Sequence, residues 1–389
     1  MVFLIWFLIE LTARPSGPNL GASSSAPQYY TGNSLSATAQ FYLENSFARG
    51  TTATYRKNIQ RFCDYQGISL HELQGKLPVS PGVLAEYAVF LLHGGRRPNT
   101  IASYISALAH LHTRSGFPSP VSMEPLVSVI LGMTRVHGTN AVRPRFTITF
   151  QHLDLLGRAS RNALSSATSS EARMGLRAAW AWISISFFGM LRNTEGVPAN
   201  CAEAQLRFPT FQDCRVVLHS VLHLTLLSAI TSQRPSHDEV AYLHLFLAHS
   251  KADRAGTGTW VIISTQAFPP LSEFLRLHPK GTGFDESTPL FPTSTVVRVG
   301  ARRYKFEPYT VAQLRPIVRG LLAEAHIDTT GTVGFSFRAG AATHLALRGI
   351  SSAIIQRLGR WSSEAYRRYV RPEETSLAET MRNAFNSSS

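Results

Sequence analysis

The stretch LGRWSSEAYRRYV, residues 358–370, places two tyrosines three positions apart among three arginines. A serine followed by Glu364 is typical of a helix start, because the hydroxyl caps the first turn and the carboxylate favours it. Tyr366 and Tyr369 would then lie on one helix face, where aromatic side chains commonly pack. The question that this segment raises is which tyrosine packs and which one reacts.

Composition limits what the segment can belong to. The chain has 389 residues, is 44% hydrophobic and carries a formal net charge of +14, so it can bury a core and is long enough for about two domains. The positive charge favours a polyanionic partner such as nucleic acid or an anionic membrane surface. Only five of the 38 basic residues are lysine; this bias fits phosphate recognition and an arginine-rich genomic composition equally well.

The cysteines and the N-terminus argue against several classes of protein. The three cysteines are odd in number and unevenly spaced, which supports neither a disulfide framework nor a zinc site. We therefore expect a reducing compartment and no metal or other cofactor. The apolar run at the N-terminus is too short to span a bilayer, and no basic residues precede it as in a signal peptide. We expect no membrane association.

The chain is predicted to begin with a leader and a linker and to continue into a helical domain. Residues 1–36 end in a Ser/Gly/Pro-rich stretch and are expected to lack stable structure. Residues 37–140 show amphipathic helical spacing. One helix is predicted to bury Tyr55, Ile59 and Phe62. Another is predicted to bury Ile101, Ile105, Leu108 and either Leu111 or His112, and a third lies between them.

A break rich in Gly, Pro and Arg, near residues 142–145, separates this domain from a second one. Residues 145–382 mix helix and strand, and a short tail, 383–389, follows. The predicted elements are a long apolar helix at 171–191, strands within 214–227, 242–249 and 259–264 that form a hairpin or meander, and helices after Pro308. The fold class predicted is mainly α with a small β-sheet.

Three further places carry side chains that core packing alone would not require. Arg192 directly follows the apolar helix, and Glu195 can orient its guanidinium. Lys251 lies at a strand end, where its ammonium can donate a proton to a leaving oxygen. Arg338 lies in the first turn of a helix whose face is alanine and glycine, so close packing would hold it. Each also has a structural interpretation: an intrahelical ion pair, a solvated lysine and a helix cap.

The order and spacing of these residues resemble the tyrosine recombinase (phage integrase) family over nearly the whole chain. Residues 37–140 resemble its helical core-binding (SAM-like) domain, and residues 145–382 resemble its α+β catalytic domain. Two sequence segments, SFRAGAATH at residues 336–344 and LGRWSSEAYRRYVR at residues 358–371, most resemble recombinases of eukaryotic Crypton and DIRS-type mobile elements.

The resemblance implies a role for each residue. Tyr369, ten residues after Gly359, corresponds to the nucleophile, and Tyr366 would pack or help to seat the helix. The roles of the other residues follow from their motif positions: Arg192 and Arg338 clamp the scissile phosphate, Lys251 protonates the leaving 5′ oxygen, and Glu195, Arg360 and Trp361 support them. Two guanidiniums are needed because a phosphodiester repels an anionic nucleophile.

One position departs from the family pattern. The family usually has histidine three residues before the second arginine, and here that residue is Phe335. Losing an imidazole that accepts the tyrosine proton would slow the reaction by about 10²-fold or more. The family's other His/Trp position holds Arg360, with Trp361 beside it, and the sequence does not decide which of them contacts phosphate.

The leading hypothesis is a nuclear, mobile-element-derived recombinase or integrase that cleaves and rejoins DNA through a 3′-phosphotyrosine. Its partners would be double-stranded DNA and further copies of the chain, as a dimer or tetramer on paired sites. The alternative is an inactive DNA-binding protein that retains the recombinase fold, which Phe335 favours. A third hypothesis, an all-helical adaptor or RNA-binding scaffold, would make the spacing of the four motif residues a coincidence.

Overall fold

A computed structural model of the chain describes residues 36, 42, 46–47, 49–138, 145–200, 208–248, 250, 253, 256–278, 283–298, 302–330, 332, 334–368, 370 and 381–382. The chain divides into two compact units, Met1–Val142 and Arg143–Ser389. Apart from Ser36, the predicted leader and linker 1–36 lies outside the described residues, as do the tail 383–389, Lys251 and Tyr369.

The first unit is helical around its own core. Its helices are α1 (Arg49–Gln66), α2 (Leu70–Gly75), α3 (Pro81–His93), α4 (Pro98–Arg114) and α5 (Leu126–His137). Helix α2 begins with a capping box, in which Ser69 and Glu72 satisfy each other's backbone N–H groups. Ile101, Ile105 and Leu108 are buried, which confirms the predicted face of α4. On α1, Phe62 is buried but Tyr55 and Ile59 are only partly buried, so its predicted face is confirmed in part.

His112, rather than Leu111, is the buried residue at the end of the α4 face. Its Nδ1 lies 2.7 Å from the Leu108 carbonyl oxygen, and its Nε2 accepts a hydrogen bond from the Val79 backbone N–H at 2.9 Å. A buried imidazole is tolerated here because both nitrogens have partners.

The second unit is built around a nearly buried helix. Its helices are α6 (Phe150–Ser166), α7 (Ser170–Phe188), α8 (Asn193–Gly196), α9 (Leu226–Thr231), α10 (Phe268–Arg276), α11 (Val311–Glu324), α12 (Phe337–Leu347) and α13 (Ser352–Gly359). Helix α7 confirms the predicted apolar helix and contributes the fully buried Trp182. Among the described residues, no helix is both long enough and apolar enough to cross a membrane.

In the part of the chain that the structure describes, three small sheets accompany these helices, which confirms the predicted fold class. The strands are β1 (Phe146–Thr147), β2 (Cys214–Leu218), β3 (His223–Thr225), β4 (Val240–Leu247), β5 (Thr259–Ser264), β6 (Pro292–Arg298), β7 (Arg302–Pro308) and β8 (Phe335–Ser336). The largest sheet has the order β3-β2-β4-β5, and its β4–β5 pair confirms the predicted hairpin.

One strand prediction was incomplete and one ribbon was missed. The run 214–227 contains two strands, β2 and β3, joined by a turn, but its last two residues begin α9, because Thr225 caps a new helix. The β6–β7 ribbon was not predicted. It consists of two antiparallel strands joined by main-chain pairing, and its sequence has no long apolar alternation.

The short parallel pair β1–β8 positions helix α12. Phe146 pairs with Phe335, and the Ile148 backbone N–H donates to the Ser336 carbonyl at 3.3 Å. Ser336 then caps α12 by accepting a hydrogen bond from the Ala339 backbone N–H. Gly340 is pressed so closely to this segment that a Cβ atom there would overlap the Ile148 carbonyl oxygen.

We predict that Gly340→Ala destabilises the fold by about 1–3 kcal/mol or more, because backbone must move to admit the methyl group. The matched control is Gly320→Ala in α11, where nothing lies within 4 Å of an added Cβ. That change should stabilise by about 0.5–1 kcal/mol through helix propensity. Chemical denaturation of both variants measures the difference, and equal free energies of unfolding would contradict the close approach of α12 to Ile148.

Candidate active site

Arg192 occupies the turn between α7 and α8. Helix α7 is capped by Gly189, and Arg192 is the residue that precedes α8. The Nη1 of Arg192 donates to Glu195 Oε1 at 2.5 Å, and its backbone N–H donates to Glu195 Oε2 at 2.9 Å. Glu195 therefore orients the guanidinium as the sequence predicted, while 27% of the Arg192 side chain stays exposed.

The same carboxylate binds a second arginine from a distant part of the chain. Arg360 Nη2 donates to Glu195 Oε2 at 2.7 Å, although the two residues are 165 positions apart. Arg360 is the C-cap of α13 in the left-handed conformation, with φ 56°. The Nη1 of Arg360 also donates to the Gly189 carbonyl at 3.3 Å. Arg360 thus ties the end of α13 to the end of α7.

Ser250 completes this cluster, and sequence analysis did not identify it. The Ser250 hydroxyl donates to Glu195 Oε1 at 3.1 Å, and Arg192 Nη1 lies 3.2 Å from the same hydroxyl oxygen. Its position after strand β4 and directly before Lys251 is the sequence feature that could have indicated a place in the site. Its contacts bring the start of the β4–β5 loop to the arginine cluster.

The electrostatics of Glu195 follow from these contacts. The side chain is 4% exposed, and burial alone would raise its pKa. The guanidinium of Arg360, the backbone N–H of Arg192 and the guanidinium of Arg192 outweigh that effect and hold the pKa of Glu195 below its ordinary value of 4.5. The carboxylate is therefore ionised at neutral pH and neutralises part of the charge of both arginines.

Arg338 lies in a second group of contacts beside the first. It is in the first turn of α12 and is 3% exposed. One Nη atom donates to the Gly359 carbonyl oxygen, and the guanidinium carbon lies 4.1 Å from the centroid of the Trp361 ring. A Cβ on Gly359 would overlap that ring. Arg338 is therefore held by the Gly359 carbonyl and the Trp361 ring, in line with the prediction that its surroundings fix it.

The segment 359–361 joins the two groups. Gly359 accepts from Arg338, Arg360 binds Glu195, and Trp361 lies against Arg338. The structure therefore gathers five of the seven predicted site residues: Arg192, Glu195, Arg338, Arg360 and Trp361. The other two, Lys251 and Tyr369, lie outside the described residues, so their roles remain predictions.

Tyr366 packs, which confirms the prediction for this tyrosine. It is 5% exposed, and its ring centroid lies 6.3 Å from that of Trp361. Hydrogen bonding to Ser352, together with Arg367, lowers the pKa of Tyr366 from its ordinary value. The helix predicted here is a single stretch of 3₁₀-helix, Glu364–Arg368, and not a regular α-helix.

Phe335 is part of the core. It is 3% exposed, and its ring centroid lies 6.0 Å from that of Trp182 and 5.2 Å from that of Phe337. Its carbonyl oxygen accepts a hydrogen bond from Asn193 Nδ2 at 3.2 Å. The main chain at this position thus contacts the residue next to Arg192, while the side chain fills apolar space.

Comparison with known proteins adds evidence for the fold. No protein-family model and no curated protein matches the sequence. Among solved structures, the chain is similar to a XerH site-specific recombinase bound to a palindromic difH substrate, with a TM-score of 0.53 and 14% identity over 85% of this chain and 78% of that one.

The fold is that of the tyrosine recombinases. Two further structures match with lower scores. A lambda integrase dimer bound to a COC′ core site has a TM-score of 0.43 and 12% identity, covering 85% of this chain and 74% of that one. A Tn1549 transposon integrase in complex with circular intermediate DNA has a TM-score of 0.42 and 12% identity, covering 85% of this chain and 98% of that one.

We predict that Glu195→Gln destabilises the protein by about 3 kcal/mol at neutral pH, because it removes the buried partner of two arginines. Since the folded-state pKa of Glu195 is lowered, its stabilisation is complete above about pH 4.5 and is lost as the pH falls through that lowered value. The stability gap between the parent and the variant should therefore narrow in acid.

Denaturation curves between neutral and acidic pH measure this gap. The matched control is Asp154→Asn, which removes the carboxylate of an exposed ion pair with Arg158 whose side chains are 71% and 61% exposed. That pair should contribute about 0–1 kcal/mol. If the two variants lost equal stability, Glu195 would not organise the arginine cluster.

Proposed function

We propose that this protein is a site-specific DNA recombinase or integrase that cleaves and rejoins DNA strands through a 3′-phosphotyrosine intermediate on Tyr369. Arg192 and Arg338 would bind the scissile phosphate, and Lys251 would protonate the leaving 5′ oxygen. The roles of Lys251 and Tyr369 rest on their positions in the family motif, since both lie outside the described residues.

One observation carries the proposal: Arg192 and Arg360 both bond to Glu195, and Arg338 bonds to Gly359, the neighbour of Arg360, within a tyrosine recombinase fold. A structural ion pair needs one arginine per carboxylate. Here the cluster holds two guanidiniums around Glu195 and a third beside them, so it keeps a positive surplus that suits a phosphodiester.

The proposed reaction is a transesterification with a balanced exchange of bonds. The phenol O–H bond of Tyr369 breaks and its proton passes to solvent water, because Phe335 stands where the family has a histidine to accept it. The phenol oxygen forms a bond to phosphorus, and the bond from phosphorus to the 5′ oxygen breaks. A proton from Lys251 goes to that oxygen, giving a 5′ hydroxyl. The phosphotyrosine keeps the energy of the phosphodiester, so a 5′ hydroxyl from another strand can reverse the step. The guanidiniums stabilise the charge that develops on the phosphate oxygens.

The arginines differ in how a phosphate would reach them. Arg192 is partly exposed, with 27% of its side chain open, and is directly available. Arg338 is 3% exposed and lies beneath Trp361. Contact between Arg338 and a phosphate therefore requires Trp361 to turn aside. Arg360 is committed to Glu195 and to backbone carbonyls, so we assign it a positioning role.

The wider setting follows from the sequence resemblance. We infer an origin in a eukaryotic mobile element of the Crypton or DIRS type, and therefore a nuclear location. Strand exchange needs two DNA sites, so we expect copies of the chain to assemble as a dimer or tetramer on paired sites. A net charge of +14 supports duplex DNA as the partner, through contacts with phosphates.

Incubation with nicked duplex DNA that carries candidate element ends, followed by denaturing electrophoresis, tests the function. We predict a covalent protein–DNA band that is absent in Tyr369→Phe and retained in the matched variant Tyr366→Phe, which keeps the packed ring. Arg338→Ala should slow its formation by about 10²-fold or more. A band that survives in Tyr369→Phe would refute the assignment of the nucleophile.

The second candidate function is a DNA-binding protein that has lost cleavage, and the buried Phe335 favours it. Phe335→His would restore the family residue, while placing a polar ring in the core at a cost of about 1–3 kcal/mol. If both proteins bind duplex DNA but only Phe335→His forms the covalent band, Phe335 prevents cleavage at an otherwise competent site. Duplex binding with no band from either protein would favour the binding-only function.

A further inference from the structure

The outward side of the sheet β3-β2-β4-β5 carries an unusual set of side chains. The opposite side faces the core: Leu243, Leu245, Val261 and Ile263 are buried at alternating positions. The residues between them define what we call the outer sheet face, made of Arg215 on β2, Tyr242, His244 and Phe246 on β4, and Trp260 and Ile262 on β5.

Aromatic rings dominate the outer sheet face. Trp260 is 40% exposed and Ile262 is 55% exposed, which is high for large apolar residues. The Trp260 ring centroid lies 4.5 Å from that of His244, with 35° between the planes, and 5.2 Å from that of Phe246. Tyr242 continues the row at 6.1 Å from His244. The rings thus form a continuous strip across β4 and β5 that remains open to solvent at Trp260.

The charge on this face has one sign. The guanidinium carbon of Arg215 lies 4.9 Å from the Trp260 ring centroid, and Arg215 pairs directly with His244 across the strands. Burial, together with Arg215 and His223 on β3, lowers the pKa of His244. Arg215, and not His244, therefore supplies positive charge here at neutral pH. None of the residues in β2, β3, β4 or β5 is acidic.

This combination favours one kind of partner. An apolar protein surface would gain nothing from the basic groups, and the face offers no carboxylate to a basic partner. Paired duplex DNA hides its bases, so it would use the arginine and leave the exposed rings uncovered. Unpaired bases stack on aromatic side chains, and phosphates pair with adjacent arginines, in proteins that bind single strands.

We propose that the outer sheet face is a binding site for single-stranded nucleic acid, with a base stacked against Trp260 and the adjoining phosphate bound by Arg215. The site is separate from the Arg192–Glu195–Arg360 cluster, since its side chains belong to the sheet and none of them bonds to that cluster in the described part of the chain. It extends the proposed function, which concerns duplex DNA.

The test titrates the full-length protein with a fluorescently labelled oligothymidine of about ten nucleotides, a length in the range that one such platform covers. Anisotropy reports affinity, and tryptophan fluorescence reports stacking. We expect quenching in the parent and its loss in Trp260→Phe, which still binds. Trp260→Leu keeps an apolar side chain but no ring, and it should weaken binding by about tenfold or more.

Arg215→Ala is compared with Arg276→Ala, because Arg276 is an exposed arginine of α10 outside the face and both changes remove one charge. We expect Arg215→Ala to weaken binding several-fold more than Arg276→Ala. Equal losses in these two variants, unchanged affinity in Trp260→Leu, or no binding by the parent would each overturn the proposal.

The result does not depend on the recombinase assignment. Trp260→Leu should still give the covalent band with nicked duplex DNA, because Trp260 is outside the arginine cluster. If the parent forms the covalent band but does not bind the oligothymidine, the single-strand proposal fails and the recombinase proposal stands. If the parent binds the oligothymidine but forms no band, the single-strand proposal stands and the recombinase proposal is not supported.

Discussion

The buried carboxylate of Glu195 is the interaction on which the rest of the site depends. One side chain binds Arg192 in its own turn, Arg360 from the end of α13 and Ser250 from beyond strand β4. An ionised carboxylate with so little exposure is stable only with charged partners. The end of α7, the end of α13 and the start of the β4–β5 loop must therefore meet at this point.

Arg338 depends on this arrangement through the chain that follows α13. Because Arg360 is fixed on Glu195, Gly359 and Trp361 are fixed on either side of it, and both contact Arg338. Arg360 adopts the left-handed backbone conformation, which is unfavourable for a residue other than glycine. This conformation directs its side chain to α7 while Trp361 covers Arg338 on α12. A cluster of like charges that would repel one another is held together by one carboxylate and one aromatic ring.

The sequence predicted much of the fold because periodicity reports local packing. The apolar spacing of α1 and α4 indicated these helices and most of their buried positions, and the apolar composition of 171–191 indicated α7. Two strand-like runs around a turn indicated β4–β5. It could not choose between Leu111 and His112, because the imidazole is satisfied by Val79, which is distant in sequence. It missed β6–β7, whose pairing uses main-chain groups that every residue possesses.

The same limit applies to the site. Arg192, Glu195 and Arg338 were singled out because a charged residue next to an apolar helix or within small residues is unusual, and the resemblance to the recombinase family implied their roles. The pairing of Arg360 with Glu195 was not predicted, since nothing in either local sequence indicates a partner 165 residues away. Phe335 was identified as a departure from the motif, and only the structure places its ring against Trp182.

Identifying which tyrosine, Tyr366 or Tyr369, becomes linked to DNA is the most direct test of the proposed recombinase chemistry. A trapped protein–DNA adduct would be digested with nuclease and protease, and mass spectrometry would locate the nucleotide-bearing peptide residue. We predict that the phosphate is attached to Tyr369, because Tyr366 is buried in the core. A nucleotide on Tyr366 or on any residue other than Tyr369 would contradict the account.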